Sequence, residues 1–344
     1  MAPPNSTNGV VSLPLTNALM TKLKPAKIFK AAVEPAPPPP TGSRTLAQQR
    51  HITGLCFDDR GDQLITAAED ETFRLYNCKT GKLTKTLHSK KYGVDLPRFT
   101  HKNTAIIYAS TKEDDTIRYH SLHDNKYLQY FKGHNQRVIS LEMSPVDDGF
   151  MSGSMDKSAP FLTIALEDPT LARVSFPPRA IYMTSMAFSS SGKYLLVGCS
   201  GDAHYIVDAF EGHVLAKLEG HIGLERRRLD TPISIEPQRG CSVEEVSWTP
   251  DSKYVVGGGL DGRICVWDVQ NIPAREGPVD LQLAPMRIQP LAKMDGHPGP
   301  ARCVRFNPRL AMMATAGAEL AFWIPDQTAD ADEVAKELLR KAGT

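Results

Sequence analysis

The stretch CSVEEVSWTPDSKYVVGGGLDGRICVWDVQ, residues 241–270, is the clearest structural unit of the sequence. Apolar and β-branched residues gather there in three short runs, which end near Trp248, Gly258 and Trp267. Turn-forming residues separate the runs, with TPDS after the first and LDG after the second. The stretch therefore predicts three strands joined by two turns, and the third strand ends in a Trp-Asp pair.

The same unit recurs along most of the chain. The last apolar residue of the first strand can be aligned in six places, and these anchor residues are Phe57, Phe99, Met143, Phe188, Trp248 and Phe306. The first three intervals between successive anchors match the repeat of about 40–45 residues that one four-stranded WD blade requires. The last two intervals are longer, which indicates inserts in the second half of the chain.

Two polar columns accompany the anchors. An aspartate follows five of them at a nearly constant offset, namely Asp70, Asp114, Asp156, Asp202 and Asp261. Gly-His pairs precede three of them and contain His134, His221 and His297. The repeat and its two columns predict an all-β protein, a WD-repeat β-propeller of which six repeats are visible.

The periodic polar residues are interpreted as structural. Each aspartate is expected to accept backbone N–H groups in a turn, and each histidine to hydrogen-bond a strand Ser or Thr. Trp267 is expected to pack between blades rather than to bind a ligand. Metal ligation or base catalysis by the histidines is the alternative, but a catalytic group would be a single exception rather than a column.

Composition limits the function classes. A net charge of +1 over 344 residues provides no overall attraction to nucleic acid or to an anionic membrane. No apolar run approaches the ~18 residues of a membrane helix, and no signal-peptide core is visible, so we expect a soluble intracellular protein. Six cysteines without a CxxC pair favour reduced thiols and predict neither metal nor cofactor.

The propeller is expected to span residues 25–325, between a disordered tail at 1–24 and a second tail at 326–344. Since an open ring would expose strand edges, residues 26–30 are predicted to form the closing strand of the last blade. The other departures from the repeat are a Pro-rich loop, a disrupted repeat and two inserts, at 31–48, 158–180, 222–240 and 271–287.

No segment carries a convincing catalytic motif. The runs at 198–201 and 257–259 superficially resemble a nucleophile elbow or a phosphate-binding loop, but they lack the lysine or the strand-to-helix context of those motifs. Three arginines at 226–228 could contact acidic partners or RNA phosphates, although a solvated insert is the simpler interpretation. The sequence therefore does not predict an enzyme.

Several longer runs resemble one particular WD-repeat family. They are SKKYGVDLPRFTH (89–101), EDDTIRYHSLHDNKYLQYFKGHNQRV (113–138), MSPVDDGFMSGSMDK (143–157), VDAFEGHV (207–214) and ARCVRFNPRLAMMATAGAELAFWIP (301–325). They resemble the WD-repeat subunit shared by COMPASS, the SET-domain histone H3 lysine-4 methyltransferase complex, and by the cleavage and polyadenylation machinery. The resemblance covers most of residues 26–325.

This resemblance implies a nuclear, non-enzymatic scaffold that contacts chromatin indirectly. The implied partners are the SET-domain methyltransferase, other COMPASS subunits, and cleavage and polyadenylation or phosphatase-termination factors, with no membrane and no small-molecule substrate. Two alternatives stay open. The repeats alone would permit a generic WD adaptor, such as a substrate receptor of a ubiquitin ligase, or an enzyme built on a propeller.

The most distinctive loops suggest a partner-binding surface. Charged residues and an aromatic ring occur together between the first two repeats and within the second, a composition that is enriched in interface hot spots. The expected surface contains Lys90, Lys91, Tyr92, Asp95, Arg98, His123, Asp124 and Asn125.

The resemblance also predicts that about one blade is missing. The family has seven repeats, whereas six anchors are visible here, and the pattern breaks after Asp156. The runs at 161–166 and 171–176 would then have to serve as the last two strands of a composite blade. The ring is expected either to close with six blades or to gape between the Met143 and Phe188 repeats, which would expose strand edges.

Overall fold

The computed structural model describes residues 14–38, 49–144, 149–154, 183–199, 201–224, 244–273 and 284–326. In these ranges, strands form six sheets. Each predicted anchor is the last residue of the first strand of one sheet. First strands of successive sheets contact each other at five junctions, so the sheets are blades around a common axis. The predicted β-propeller is confirmed.

The first three blades follow the order of the chain. Blade 1 consists of β2 (Ile52–Phe57), β3 (Gln63–Ala68), β4 (Thr72–Asn77) and β5 (Lys82–His88), numbered after an N-terminal strand described below. Blade 2 consists of β6 (Asp95–Phe99), β7 (Ala105–Ala109), β8 (Ile117–Ser121) and β9 (Lys126–Phe131). The described part of blade 3 consists of β10 (Val138–Met143) and β11 (Phe150–Ser154).

The second half of the ring is less regular. Blade 4 consists of β12 (Met183–Phe188), β13 (Tyr194–Cys199), β14 (Ala203–Asp208) and β15 (Val214–Glu219). Blade 5 consists of β16 (Val246–Trp248), β17 (Tyr254–Gly258), β18 (Arg263–Asp268) and a later strand, β20 (Ala292–Asp295). In the chain, β19 (Met286–Ile288) lies between β18 and β20, and it pairs in parallel with β15 of blade 4. The end of the predicted 271–287 insert is therefore a strand.

The last blade combines both ends of the described chain. It consists of β21 (Cys303–Phe306), β22 (Met313–Ala316), β23 (Leu320–Pro325) and the N-terminal β1 (Leu23–Phe29). β1 is antiparallel to β23, with Leu23 opposite Pro325 and Phe29 opposite Leu320. The ring is thus closed by a strand that includes most of the segment predicted for this task.

The prediction that residues 1–24 are disordered is wrong for their described part. A short helix, α1 (Asn17–Thr21), precedes β1, and Thr16 caps it by accepting a hydrogen bond from the backbone N–H of Leu19. Met20 is 0% exposed because it packs into the apolar cluster that blades 5 and 6 share. Residues 1–13 lie outside the described ranges.

A polar residue after each anchor closes the hairpin between the first two strands. Its backbone N–H donates to the carbonyl five residues ahead in every blade, at Asp58, Thr100, Ser144, Ser189, Thr249 and Asn307. In Asp58, Ser189 and Thr249 the side chain also accepts a hydrogen bond from the first strand residue beyond the turn. In the sequence this column is visible as a polar residue directly after each anchor.

Several expected features fall outside the described ranges. They are Asp156, the disrupted repeat at 158–180, and most of the Pro-rich loop, of the 222–240 insert and of the C-terminal tail. Within the described ranges, no helix is long and apolar enough to cross a membrane.

A buried carboxylate connects the first strands near the axis. Glu244, which precedes β16, is 1% exposed, and its Oε1 lies 2.6 Å from Arg98 Nη1 and 3.0 Å from Arg305 Nη2. Its Oε2 accepts a hydrogen bond of 2.6 Å from the backbone N–H of Leu55. One side chain of blade 5 therefore binds blades 1, 2 and 6.

We predict that Glu244→Gln destabilises the propeller. Two largely buried guanidiniums would then face a neutral amide, and loss of one partner from a buried ion pair costs about 3–5 kcal/mol. Urea denaturation should show this loss in the free energy of unfolding. Glu142→Gln is the control, because the Glu142 side chain contacts Arg98 but is 62% exposed. Equal stability of the two variants would contradict the bridging role of Glu244.

Candidate partner-binding surface

The loop between β5 and β6 carries the first part of the expected surface. Lys90 and Lys91 are exposed, and the Lys91 Nζ lies 5.0 Å from the ring centroid of Tyr92. The carbonyl of Tyr92 accepts hydrogen bonds of 3.0 and 2.8 Å from the backbone N–H groups of Thr111 and Lys112. The β5–β6 loop is therefore fixed to the β7–β8 loop.

Tyr92 is half-buried because its ring covers an arginine. The Cζ of Arg118 lies 3.6 Å from the Tyr92 ring centroid, a cation–π contact, and 5.6 Å from that of Tyr130. On its other side, Arg118 donates to both carboxylate oxygens of Asp114, at 2.8 and 2.9 Å. Burial opposes ionisation of Asp114, but the guanidinium outweighs it and holds the pKa of Asp114 below its usual range.

A second tyrosine extends this cluster toward blade 1. Tyr127 makes an edge contact with Tyr92 at 5.7 Å between centroids and stacks on His120 at 5.0 Å. Its hydroxyl lies 3.4 Å from both Ser89 Oγ and the Tyr108 hydroxyl. Tyr92, Arg118, Tyr127 and Tyr130 are hereafter called the tyrosine–arginine cluster.

Asp95 and Arg98 do not belong to an exposed surface, which corrects the expectation for these two residues. Both are 6% exposed. Arg98 binds Glu244 near the axis, as described above, and Asp95 Oδ2 lies 2.9 Å from Arg137 Nη2. In the sequence they follow charged loop residues, but both belong to β6, the first and innermost strand of blade 2.

His123, Asp124 and Asn125 form the turn between β8 and β9. This turn lies at the opposite end of β8 from the β7–β8 loop, about 15 Å along the strand. The carbonyls of Leu122 and His123 accept hydrogen bonds from Lys85 Nζ at 2.6 and 3.1 Å. The structure therefore separates the expected surface into two parts at opposite ends of blade 2.

The periodic histidines act in two different ways. His134 Nε2 lies 2.9 Å from Ser152 Oγ, and His297 Nε2 lies 2.7 Å from Thr315 Oγ1, which also accepts from Trp323 Nε1. Both contacts have the partners that the repeat predicted. No group of three or more His, Cys, Asp or Glu side chains in the described part of the chain is placed to hold a metal ion.

His221 lacks the hydroxyl partner that was expected for it. The equivalent position in blade 5 is Gly257, where a Cβ atom would lie 2.9 Å from the Trp267 ring. His221 Nε2 therefore lies 3.1 Å from the Gly201 carbonyl, and its ring stacks on His204 at 4.2 Å. Since Gly257 has no side chain, blade 5 offers His221 no hydroxyl, and the Trp267 Nε1 donates to the Glu219 carbonyl instead of to a threonine as Trp323 does in blade 6.

The periodic aspartates are tied to turns, and two of them bind arginines that the sequence analysis missed. Asp70 and Asp114 each have an arginine four residues later, in the pattern D-x-T-x-R, which could have indicated the pairs. Arg74 Nη1 lies 2.9 Å from Asp70 Oδ2 and donates to the Ala32 carbonyl at 2.6 Å. Asp202 accepts from the Gly223 N–H and Asp261 from the Arg263 N–H.

Comparison with known proteins agrees with this geometry. The family described as "WD domain, G-beta repeat" matches residues 42–77, 125–159 and 234–268. WD repeat-containing protein 82 of Drosophila melanogaster is 32% identical over 358 residues, which cover 92% of this chain and 98% of the relative. The chain therefore belongs to the family of WD-repeat proteins that includes WD repeat-containing protein 82.

Two other members of the family have names that include a complex. The Set1 complex component swd2 of Schizosaccharomyces pombe is 30% identical, with 79% of this chain and 92% of the relative covered. The COMPASS component SWD2 of Saccharomyces cerevisiae is 29% identical, with 80% and 91% covered. The family therefore includes named components of the Set1 complex and of COMPASS.

We predict that Trp267→Ala strongly destabilises this WD-repeat protein. The side chain is 0% exposed, Nε1 donates to the Glu219 carbonyl at 2.9 Å, and its ring contacts His204 and His221. Truncation of a buried Trp costs about 3–5 kcal/mol. Thermal and urea unfolding should show the loss, whereas a normal melting curve combined with loss of one partner would identify Trp267 as a binding residue.

We also predict that stability falls in mild acid. Burial lowers the pKa of His297 from 6.5 to about 4 and also lowers the pKa of His204 and His221. Below pH 6.5 these histidines are protonated in the unfolded chain but stay neutral in the folded chain. The free energy of unfolding therefore decreases as the pH falls from 6.5 toward 4. Thermal unfolding between pH 7.5 and 5 should show a falling midpoint. In His297→Gln the midpoint should fall less steeply with pH. An unchanged slope of midpoint against pH would contradict the role assigned to His297.

Proposed function

We propose that this protein is a non-enzymatic scaffold subunit of a nuclear, COMPASS-type histone H3 lysine-4 methyltransferase complex. The single observation that carries the proposal is membership in a family whose named members include a Set1 complex component and a COMPASS component. The partners would be the SET-domain methyltransferase and the other COMPASS subunits. A link to mRNA 3'-end processing and transcription termination is part of the same proposal.

The use of polar residues by the fold supports a binding role. His134, His221 and His297, which the sequence offered as bases or ligands, are each engaged by strand or turn atoms. Asp70 and Asp114 form ion pairs with arginines of the strands that follow their turns. A catalytic nucleophile and its base would therefore have to come from other residues than these periodic ones. The loops that join the strands are the parts available to partners.

The loop beside the tyrosine–arginine cluster is the part of the expected surface that fits a partner best. Lys91 is exposed, and the Tyr130 ring is 47% exposed although it is anchored near Arg118. Interface hot spots are enriched in Tyr and Arg, and a ring already held in position loses little entropy on binding. We include Lys90, Lys91 and Tyr130 in the proposed methyltransferase-binding surface.

Affinity purification of the tagged, full-length protein tests the complex. We expect the SET-domain methyltransferase among the recovered proteins, together with histone H3 lysine-4 methyltransferase activity in the eluate. Recovery of cullin subunits without a methyltransferase would instead identify a ubiquitin-ligase adaptor and reject the proposed function. If the tagged protein, purified away from all partners, still had histone H3 lysine-4 methyltransferase activity, its non-enzymatic role would be rejected.

A double substitution tests the surface. Lys91→Ala with Tyr130→Ala should weaken methyltransferase binding by roughly tenfold or more, because each hot-spot side chain contributes about 1–2 kcal/mol or more. The melting temperature should stay close to that of the unmodified protein, since both side chains face solvent. Lys253→Ala with Leu260→Ala, on exposed residues of blade 5, is the matched control. Equal binding by both double variants would place the surface elsewhere.

A further inference from the structure

The link between β1 and β2 is much longer than the fold requires. It runs from the outer strand of blade 6 to the inner strand of blade 1 and contains the 22 residues 30–51. Links of the same kind at three other junctions contain only six or seven residues, namely 89–94, 132–137 and 296–302. More than half of the link is therefore not needed to connect the two blades, and loops of this length are usually either functional or disordered.

The beginning of this link is fixed to blade 1. The Ala32 carbonyl accepts a hydrogen bond of 2.6 Å from Arg74 Nη1, and the Glu34 N–H donates to Asp70 Oδ2 at 2.7 Å. Asp70 and Arg74 are 4 and 5% exposed, and Arg74 Nη1 lies 2.9 Å from Asp70 Oδ2. The chain therefore leaves a buried ion pair of blade 1 from a fixed position.

The four residues after Glu34 are restricted by their own covalent structure. They have the sequence PAPP, residues 35–38, and Pro39 follows them. Each of the four is either a proline, with φ held at about −65°, or a residue before a proline, for which the helical region is disfavoured. Both restrictions favour the polyproline II helix, which has three residues per turn and rises about 3.1 Å per residue. Residues 35–38 are hereafter called the PAPP segment.

The PAPP segment presents its prolines to solvent. Residues 34–38 belong to no helix, strand or turn, and Pro35, Pro37 and Pro38 are all exposed. Pro35 and Pro38 are one turn apart in a polyproline II helix, so their rings lie on the same side, about 9 Å from each other. Pro37 lies on a different side of the helix. The segment therefore offers two equivalent prolines on one face, next to the Arg50 Nη1, which lies 3.4 Å from the Pro35 carbonyl.

We propose that the PAPP segment is a binding site for a proline-recognition domain of the SH3 or WW type. Such domains bind polyproline II helices in a groove lined by aromatic side chains, and a proline pair one turn apart is the pattern that the groove recognises. The entropy cost of binding is small because the segment is restricted to the bound conformation beforehand. This inference goes beyond the proposed function, since the segment lies on a different link from Lys90 and Lys91.

A domain array tests the inference. The full-length protein, labelled with a fluorophore at its C-terminus, would be applied to the purified SH3 and WW domains of the source organism. We expect at least one of these domains to bind, and fluorescence anisotropy would then give the Kd for that domain in solution. If none of the arrayed domains binds the full-length protein, the inference is overturned.

Substitutions locate the binding site of the domain found on the array. Pro35→Ala with Pro38→Ala should raise the Kd at least about tenfold, because both rings on the binding face are lost. Pro37→Ala is the matched control within the segment and should raise the Kd less than about threefold, since its ring lies on another side of the helix. Pro250→Ala with Pro308→Ala, in exposed turns of blades 5 and 6, should bind normally. An unchanged Kd in the first variant, or an equal loss in Pro37→Ala, would overturn the assignment.

The two proposals can fail separately. The protein with Pro35→Ala and Pro38→Ala should melt at the temperature of the unmodified protein and should co-purify with the same methyltransferase subunits. Loss of those subunits from the folded variant would contradict the separate role assigned to the PAPP segment. If the unmodified protein is absent from the methyltransferase complex but binds an SH3 or WW domain through this segment, only the proposed function is rejected.

Discussion

Packing of one blade face against the next is the contact from which the other features of the fold follow. Each sheet is apolar on both faces, so it can be stable only between two neighbours. Ile65 of blade 1 packs with Phe99 of blade 2, and Trp248 of blade 5 packs with Leu196 of blade 4. At the five junctions where first strands contact each other, the position of a blade is therefore set by its neighbour.

Closure of the ring follows from the same requirement. The last blade takes its outer strand from the N-terminus, where Phe29 makes edge contacts with Tyr76 of blade 1 and Phe322 of blade 6. Asp70 and Arg74 then bind the backbone of the chain that leaves this strand, at Glu34 and Ala32. Near the axis, Glu244 of blade 5 binds arginines of blades 2 and 6 and the backbone N–H of Leu55 in blade 1. Apolar packing holds the blades together, and a small number of buried ionic contacts fix their inner ends.

This arrangement explains why the repeat carries many polar residues although few of them are free to act as bases or ligands. A histidine bound to Thr315 with a lowered pKa is a poor base candidate, and a carboxylate paired with Arg118 is occupied. Under the proposed function, partner binding is assigned to the loops that join strands, and the tyrosine–arginine cluster lies beside one of them.

The propeller, its six anchors and the closing strand could be predicted from the amino-acid sequence, because they depend on local periodicity and on the general cost of open sheet edges. The roles of the irregular parts required the folded chain. α1 is ordered because Met20 finds an apolar site between two blades, and β19 adds to blade 4 although it follows blade 5 in the chain. Arg98 looks like a loop charge in the sequence and is buried, since its partner Glu244 is 146 residues away. Such pairs are set by the closed ring, and no local pattern contains them.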